Sequence, residues 1–152
     1  MNFKFSYQHL LEYRKRLEEL AQRDYIIAQK DLDQAEIELE NMYQQIDDSR
    51  QRARLLEVTG GKQAPSLALI DDFINKHKIR IEIQRKKIRE LQQVAELKQQ
   101  ALVSAAKEYK ILEKLKEKRL VEFKDSVKKR EMKKVDELVT TRFKRRDLND
   151  VN

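Results

Sequence analysis

Cysteine and tryptophan are both absent from this 152-residue chain, glycine occurs twice and proline once. Without cysteine there is no disulfide framework, no thiolate metal site and no redox-active side-chain pair. The two histidines, His9 and His77, lie far apart in sequence, so an imidazole metal site is not expected either. Long hydrophobic runs are also missing. No stretch is apolar enough to span a bilayer, and residues 1–15 lack the apolar core of a signal peptide, which points to the cytoplasm. Scarce glycine and proline leave few places where a helix must stop.

Nor is there a catalytic constellation. Gly60-Gly61-Lys62 superficially resembles a phosphate loop, but the first glycine of that motif, a preceding strand and a following Ser or Thr are all missing. The pairs Asp47-Asp48 and Asp71-Asp72 have no nucleophile or base beside them and read as solvated helix faces. The expectation is a protein that is not an enzyme and carries no cofactor or metal.

Charge is what the chain has in abundance: 40% of its residues are Asp, Glu, Lys or Arg, the profile of long helices. Net charge is +7, and it is unevenly divided. Residues 1–65 carry 10 bases and 12 acids, whereas residues 66–152 carry 24 bases and 15 acids. Halves of opposite sign favour pairing with each other, and the surplus of bases suits an acidic partner.

The one strong interruption is Thr59-Gly60-Gly61-Lys62-Gln63-Ala64-Pro65. It divides the chain into helix 1 over about residues 6–57, a turn over 58–66, helix 2 over about 67–143 with Ser66 as its N-cap, and a frayed basic tail over 144–152. Apolar residues then recur at alternating spacings of four and three. In helix 1 they run Ala28, Leu32, Ala35, Leu39, Met42, Ile46, Ser49, Ala53, Leu56. In helix 2 they run from Ile70, Ile74, His77, Ile81, Gln84 and Ile88 to Leu112. These are heptad seams, with slips expected near residues 21–25 and near Lys116.

The fold expected is all-α: a single domain of two long helices forming an antiparallel coiled-coil hairpin, helix 2 the longer. Pairing residues whose numbers sum to 126 or 127 superposes the seams and sets Leu39 near Ile88. Residues 31–48 hold seven acids and no base, and the facing residues 78–95 hold six bases and two acids. A parallel homodimer would oppose that acidic run with its own copy, so a monomeric hairpin is favoured. In this register helix 2 outlasts helix 1 beyond about position 125. The overhang, residues 126–152, carries nine bases and five acids and leaves Val127, Val135, Leu138 and Phe143 uncovered.

Phe3-Lys4-Phe5-Ser6-Tyr7-Gln8-His9-Leu10-Leu11-Glu12-Tyr13-Arg14-Lys15-Arg16-Leu17-Glu18 resembles the opening of flagellar FliJ proteins, with an aromatic start, a Leu-Leu pair, then Arg and Glu. Leu112-Glu113-Lys114-Leu115-Lys116-Glu117-Lys118-Arg119, Glu131, Lys134, Asp136-Glu137 and Thr141-Arg142-Phe143 are similar to that family's C-terminal helix. The resemblance implies a stalk or escort of the bacterial flagellar type III protein-export apparatus, cytoplasmic and peripherally associated with the inner membrane. It implies three partners: the hexameric export ATPase, the export gate membrane protein and substrate-specific chaperones. On that basis Tyr43, Phe73 and His77 are candidate gate contacts, although His77 at a seam position also reads as a polar layer fixing register. Val127, Lys128, Lys129, Arg130, Lys134, Leu138, Arg142 and Phe143 are candidate contacts for the ATPase ring. The stalk of another secretion system or rotary ATPase is the alternative. A basic nucleic-acid-binding helix is a further one, disfavoured because no nucleic-acid motif is present.

Overall fold

A computed structural model describes residues 2–60 and 64–151. It contains two helices, α1 at Gln8–Val58 and α2 at Ala64–Asp150, which pack as an antiparallel hairpin with α2 the longer. Good helix formers dominate both, and neither contains glycine. The carbonyls at the end of α1 find partners in the Thr59 hydroxyl, which donates to Leu56 O at 3.0 Å and to Leu55 O at 3.4 Å. Gly60 follows with φ +101°, a conformation costly for any residue with a Cβ, and it ends the helix. Gly61 and Lys62, the rest of the phosphate-loop-like run, lie outside the described residues, as does Gln63.

α2 begins at Ala64, three residues before the expected Leu67. Pro65 thus sits in its first turn, where a missing N–H leaves no intrahelical bond unmade, and Ser66 lies inside the helix instead of capping it. At the other end α2 continues to Asp150 through residues 144–150, where a frayed tail was expected. No glycine or proline interrupts that stretch, and Thr140 and Thr141 return their hydroxyls to carbonyls one turn back, each at 2.7 Å.

The chain falls into two compact units, Leu17–Ala105 and Met1–Arg16 with Ala106–Asn152. In the first, the seam residues are buried in two clusters. Ala28, Leu32, Ala35, Ile88 and Ala95 form one, and Ile46, Ile74 and Ile81 the other, with Leu39 packed against both. Burial of each Ile or Leu contributes about 1.5–3 kcal/mol, so these layers carry most of the unit's stability. Three polar residues, Ser49, His77 and Gln84, are buried among them.

Cross-helix contacts fix the register of this unit. Residue numbers of the contacting pairs sum to values from 119 in Gln84–Ala35 to 128 in Arg85–Tyr43, with 122 in both His77–Gln45 and Gln84–Glu38, a spread centred about one seam layer short of the expected 126–127. The earlier start of α2 explains the shift, because the interval between Val58 and Ala64 is centred on position 61. Lys87 reaches Glu38 at 3.9 Å, because long charged side chains lean along the helix.

In the second unit Phe5 and Leu11 are buried, the Phe3 and Phe123 rings lie 5.6 Å apart, and Arg14 pairs with Glu108. Half-buried Leu112, Leu115, Leu120, Phe123 and Val127 continue the apolar stripe, displaced past Lys116 as a slip there requires. No slip occurs in α1, where Leu11, Arg14, Glu18, Ala21, Tyr25 and Ala28 are buried or half-buried at unbroken three-four spacing. Two of those seam positions are charged, which hides the repeat from a hydrophobicity reading.

Candidate functional site

Tyr43 immediately follows the seam residue Met42, and there it is half-buried and packs against the edge of the Ile46, Ile74 and Ile81 cluster. Arg85 occupies the corresponding place after Gln84. Its guanidinium donates to the Tyr43 hydroxyl and lies 5.7 Å from the centre of that ring. The hydrogen bond to Tyr43 raises the Arg85 pKa above its ordinary value, and the nearby Glu82 carboxylate, 3.0 Å away, adds to the effect. Tyr43 and Arg85 border an open concavity with Glu40, Asp47, Arg50, Lys78 and Glu82, a rim of mixed charge over Ile46 and Ile81.

Phe73 lies elsewhere. It stands before the seam residue Ile74, is 41% exposed, and stacks on the His77 ring at 4.6 Å with the planes 25° apart. Gln45, Asp48, Arg52, Leu69 and Ile70 share its groove. The Tyr43 and Phe73 surfaces have no lining residue in common, so the fold joins Phe73 with His77 and keeps Tyr43 apart. His77 itself is only 4% exposed and its Nε2 meets Gln45 Oε1 at 2.5 Å. It supports Phe73 from below and offers almost no surface of its own.

In the unit containing both ends of the chain, burial stops at Val127, and every described residue from Lys128 to Val151 is exposed. Lys128, Lys129, Arg130, Lys134, Leu138, Arg142 and Phe143 all lie on this uncovered length of α2. Met132, Val135, Val139 and Phe143 recur at three- and four-residue intervals with Leu138 beside Val139, and each is more than half exposed, a wet apolar stripe along the helix. Met132 and Val139 were not among the sequence-derived candidates, although helical periodicity from Val135 would have found them. Phe143 shares a groove with Arg142, Arg145 and Arg146, joining an apolar anchor to three cations.

Among the described residues, no His, Cys, Asp or Glu cluster has the arrangement of a metal site, and no helix is long and apolar enough to cross a membrane. What the arrangement can do is bind: it offers grooves flanking a seam and an uncovered basic helix.

Comparison with curated proteins and with solved structures returns no match. A family model described as flagellar FliJ protein matches residues 3–148, nearly the full chain and both ends whose residues carry the resemblance. The chain therefore belongs to the FliJ family and is a non-enzymatic stalk component of flagellar protein export.

Proposed function

We propose that the protein is a cytoplasmic stalk, peripherally associated with the inner membrane at the flagellar base, that links the hexameric export ATPase to the export gate and to substrate-specific chaperones. The observation carrying this reading is the uncovered length of α2 from Lys128 onward. A helix without a packed neighbour is stabilised mainly by what it later binds, and its exposed Val135, Leu138 and Phe143 invite burial. Nine bases along residues 126–152 suit an acidic rim, steering encounter at low salt. The ATPase is therefore assigned to this end, through Val127, Lys128, Lys129, Arg130, Lys134, Leu138, Arg142 and Phe143.

The gate is assigned to the flanks of the other unit. Phe73, backed by His77, and Tyr43, held by Arg85, are aromatic anchors beside polar groups, a composition favoured in protein interfaces. Because the two lie on different flanks, a gate that uses both must embrace the hairpin.

The double variant Leu138→Asp, Phe143→Asp tests the ATPase assignment. Its affinity for the purified ATPase should fall at least about tenfold, the loss typical of an interface anchor. Affinity of the unaltered chain should fall as salt rises. Wild-type affinity of the double variant would remove the assignment.

A further inference from the structure

α2 has a segment unlike the rest of the chain. Residues 91–105, Leu-Gln-Gln-Val-Ala-Glu-Leu-Lys-Gln-Gln-Ala-Leu-Val-Ser-Ala, include only two charged side chains, although 40% of the whole sequence is charged. Besides the seam residues Leu91, Ala95 and Leu102, the segment exposes Val94 and Leu97, 44% and 64% accessible, and, at a different heptad position, Val103. α1 does the same with Leu20 and Ile27, 53% and 58% accessible.

Heptad arithmetic puts these four on one flank. The groove around Phe73 is lined by Asp48 of α1 and by Leu69 and Phe73 of α2, which marks that side of the hairpin. Ile27 and Leu20 precede Asp48 by three and four heptads, Val94 follows Phe73 by three, and Leu97 follows Leu69 by four. The seam is unbroken over both intervals, so residues at whole heptads share a side. The register that pairs Gln45 with His77 brings Ile27 level with Val94 and Leu97.

The edges of this patch differ in charge. Arg23 and Lys30, one helical turn outward from Leu20 and Ile27, border it on α1, whereas Gln93 and Gln100 border it on α2. Asp24, at the same heptad position as Glu38, is the acid between the two apolar residues of α1. A second copy of this flank would bring only Arg23 and Lys30, or Gln93 and Gln100, to the outer edge, because its acids Asp24 and Asp31 lie inward, between the apolar stripe and the seam. Charge complementarity therefore favours a different protein.

We propose that the flank formed by Leu20, Ile27, Val94 and Leu97 docks an amphipathic helix of a partner protein, whose apolar stripe carries acidic side chains along the edge facing Arg23 and Lys30. A base within that stripe meets Asp24. The docked helix becomes a third strand of the coiled coil, and the low charge of residues 91–105 removes the desolvation cost that opposes such packing elsewhere on the chain. This surface shares no residue with the overhang or with the groove beside Tyr43.

The test uses the full chain and two synthetic helical peptides of about 21 residues, long enough to lie along the patch. Both carry a leucine heptad stripe; one is edged with glutamate and the other with lysine. Binding by fluorescence anisotropy should favour the glutamate-edged peptide at least about tenfold. Ile27→Glu or Leu97→Glu should weaken it by a similar factor without moving the thermal unfolding curve, since both sites are exposed. The double variant Arg23→Glu, Lys30→Glu should reverse the preference. Equal binding of both peptides, or wild-type binding by Leu97→Glu, overturns the proposal. So does a concentration-dependent dimer, or capture by anionic vesicles, that Leu97→Glu abolishes, because the occupant is then a second copy or a lipid surface.

Discussion

The side-chain amide of Gln84 crosses the hairpin and donates to the main-chain carbonyl of Ala35 at 2.9 Å, with Glu38 Oε2 3.1 Å from the same nitrogen. Gln84 is buried at a seam position where an aliphatic residue would otherwise sit. The Ala35 carbonyl also belongs to α1's own ladder, so losing this bond does not strand it. Gln84→Leu is therefore expected to leave the melting temperature unchanged or raised, while weakening the specification of register. Spin labels at residues 45 and 77 should show one narrow distance in the native chain and a broadened distribution in the variant.

Ala35 is the most deeply buried core residue, 2% exposed, and packs in one cluster with Leu32 and Ile88. A larger side chain there must push the helices apart. Ala35→Leu is expected to destabilise the protein by about 1–3 kcal/mol, measured by urea unfolding.

Gly60 has open space where a Cβ would stand, yet its φ of +101° is unfavourable for residues that carry one. Gly60→Ala should cost about 1–2 kcal/mol through backbone strain alone. Gly60→Asn, which tolerates left-handed conformations better, should recover part of the loss in the same measurement.

Those local features differ in how plainly the sequence announced them. The seams from Ala28 to Leu56 and from Ile70 to Ile88 were legible because small or aliphatic residues recur there at three-four spacing. Near the start of α1 the repeat was hidden, since Arg14 and Glu18 hold seam positions and their charge outweighs their place in the pattern. Pro65 was misleading in another way. Proline is compatible with a helix's first turn as well as with a loop, and that ambiguity moved the start of α2 and with it the register by about one layer. Counting residues in the two arms put the end of burial near position 125 and left Val127 uncovered, whereas Val127 is half-buried and burial ends just after it. The separation of Tyr43 from Phe73 was legible from their places after and before a seam residue, but the stacking of Phe73 on His77 required the packed geometry.

Tyr43→Ala and Phe73→Ala should each weaken binding to the export gate protein, with losses near 1–2 kcal/mol for an aromatic anchor. Phe73→Ala should melt close to the native value, since that ring is 41% exposed, whereas Tyr43→Ala should melt somewhat earlier, because Tyr43 packs against the Ile46, Ile74 and Ile81 cluster. Calorimetric titration and thermal unfolding on the same samples separate the two effects. Early melting with normal gate binding would make both rings packing residues.

Deleting residues 128–152 removes described residues that are all exposed and leaves both buried clusters of Leu17–Ala105 intact. The truncated chain should keep its helical signal per residue and its unfolding midpoint. Its effect on the purified export ATPase is the most direct measure of the stalk assignment. Stimulation of ATP hydrolysis, assayed against the full chain at matched concentration and low salt, should be lost. Full stimulation by the truncated chain would contradict the account and move the ATPase contact to the flanks of the hairpin.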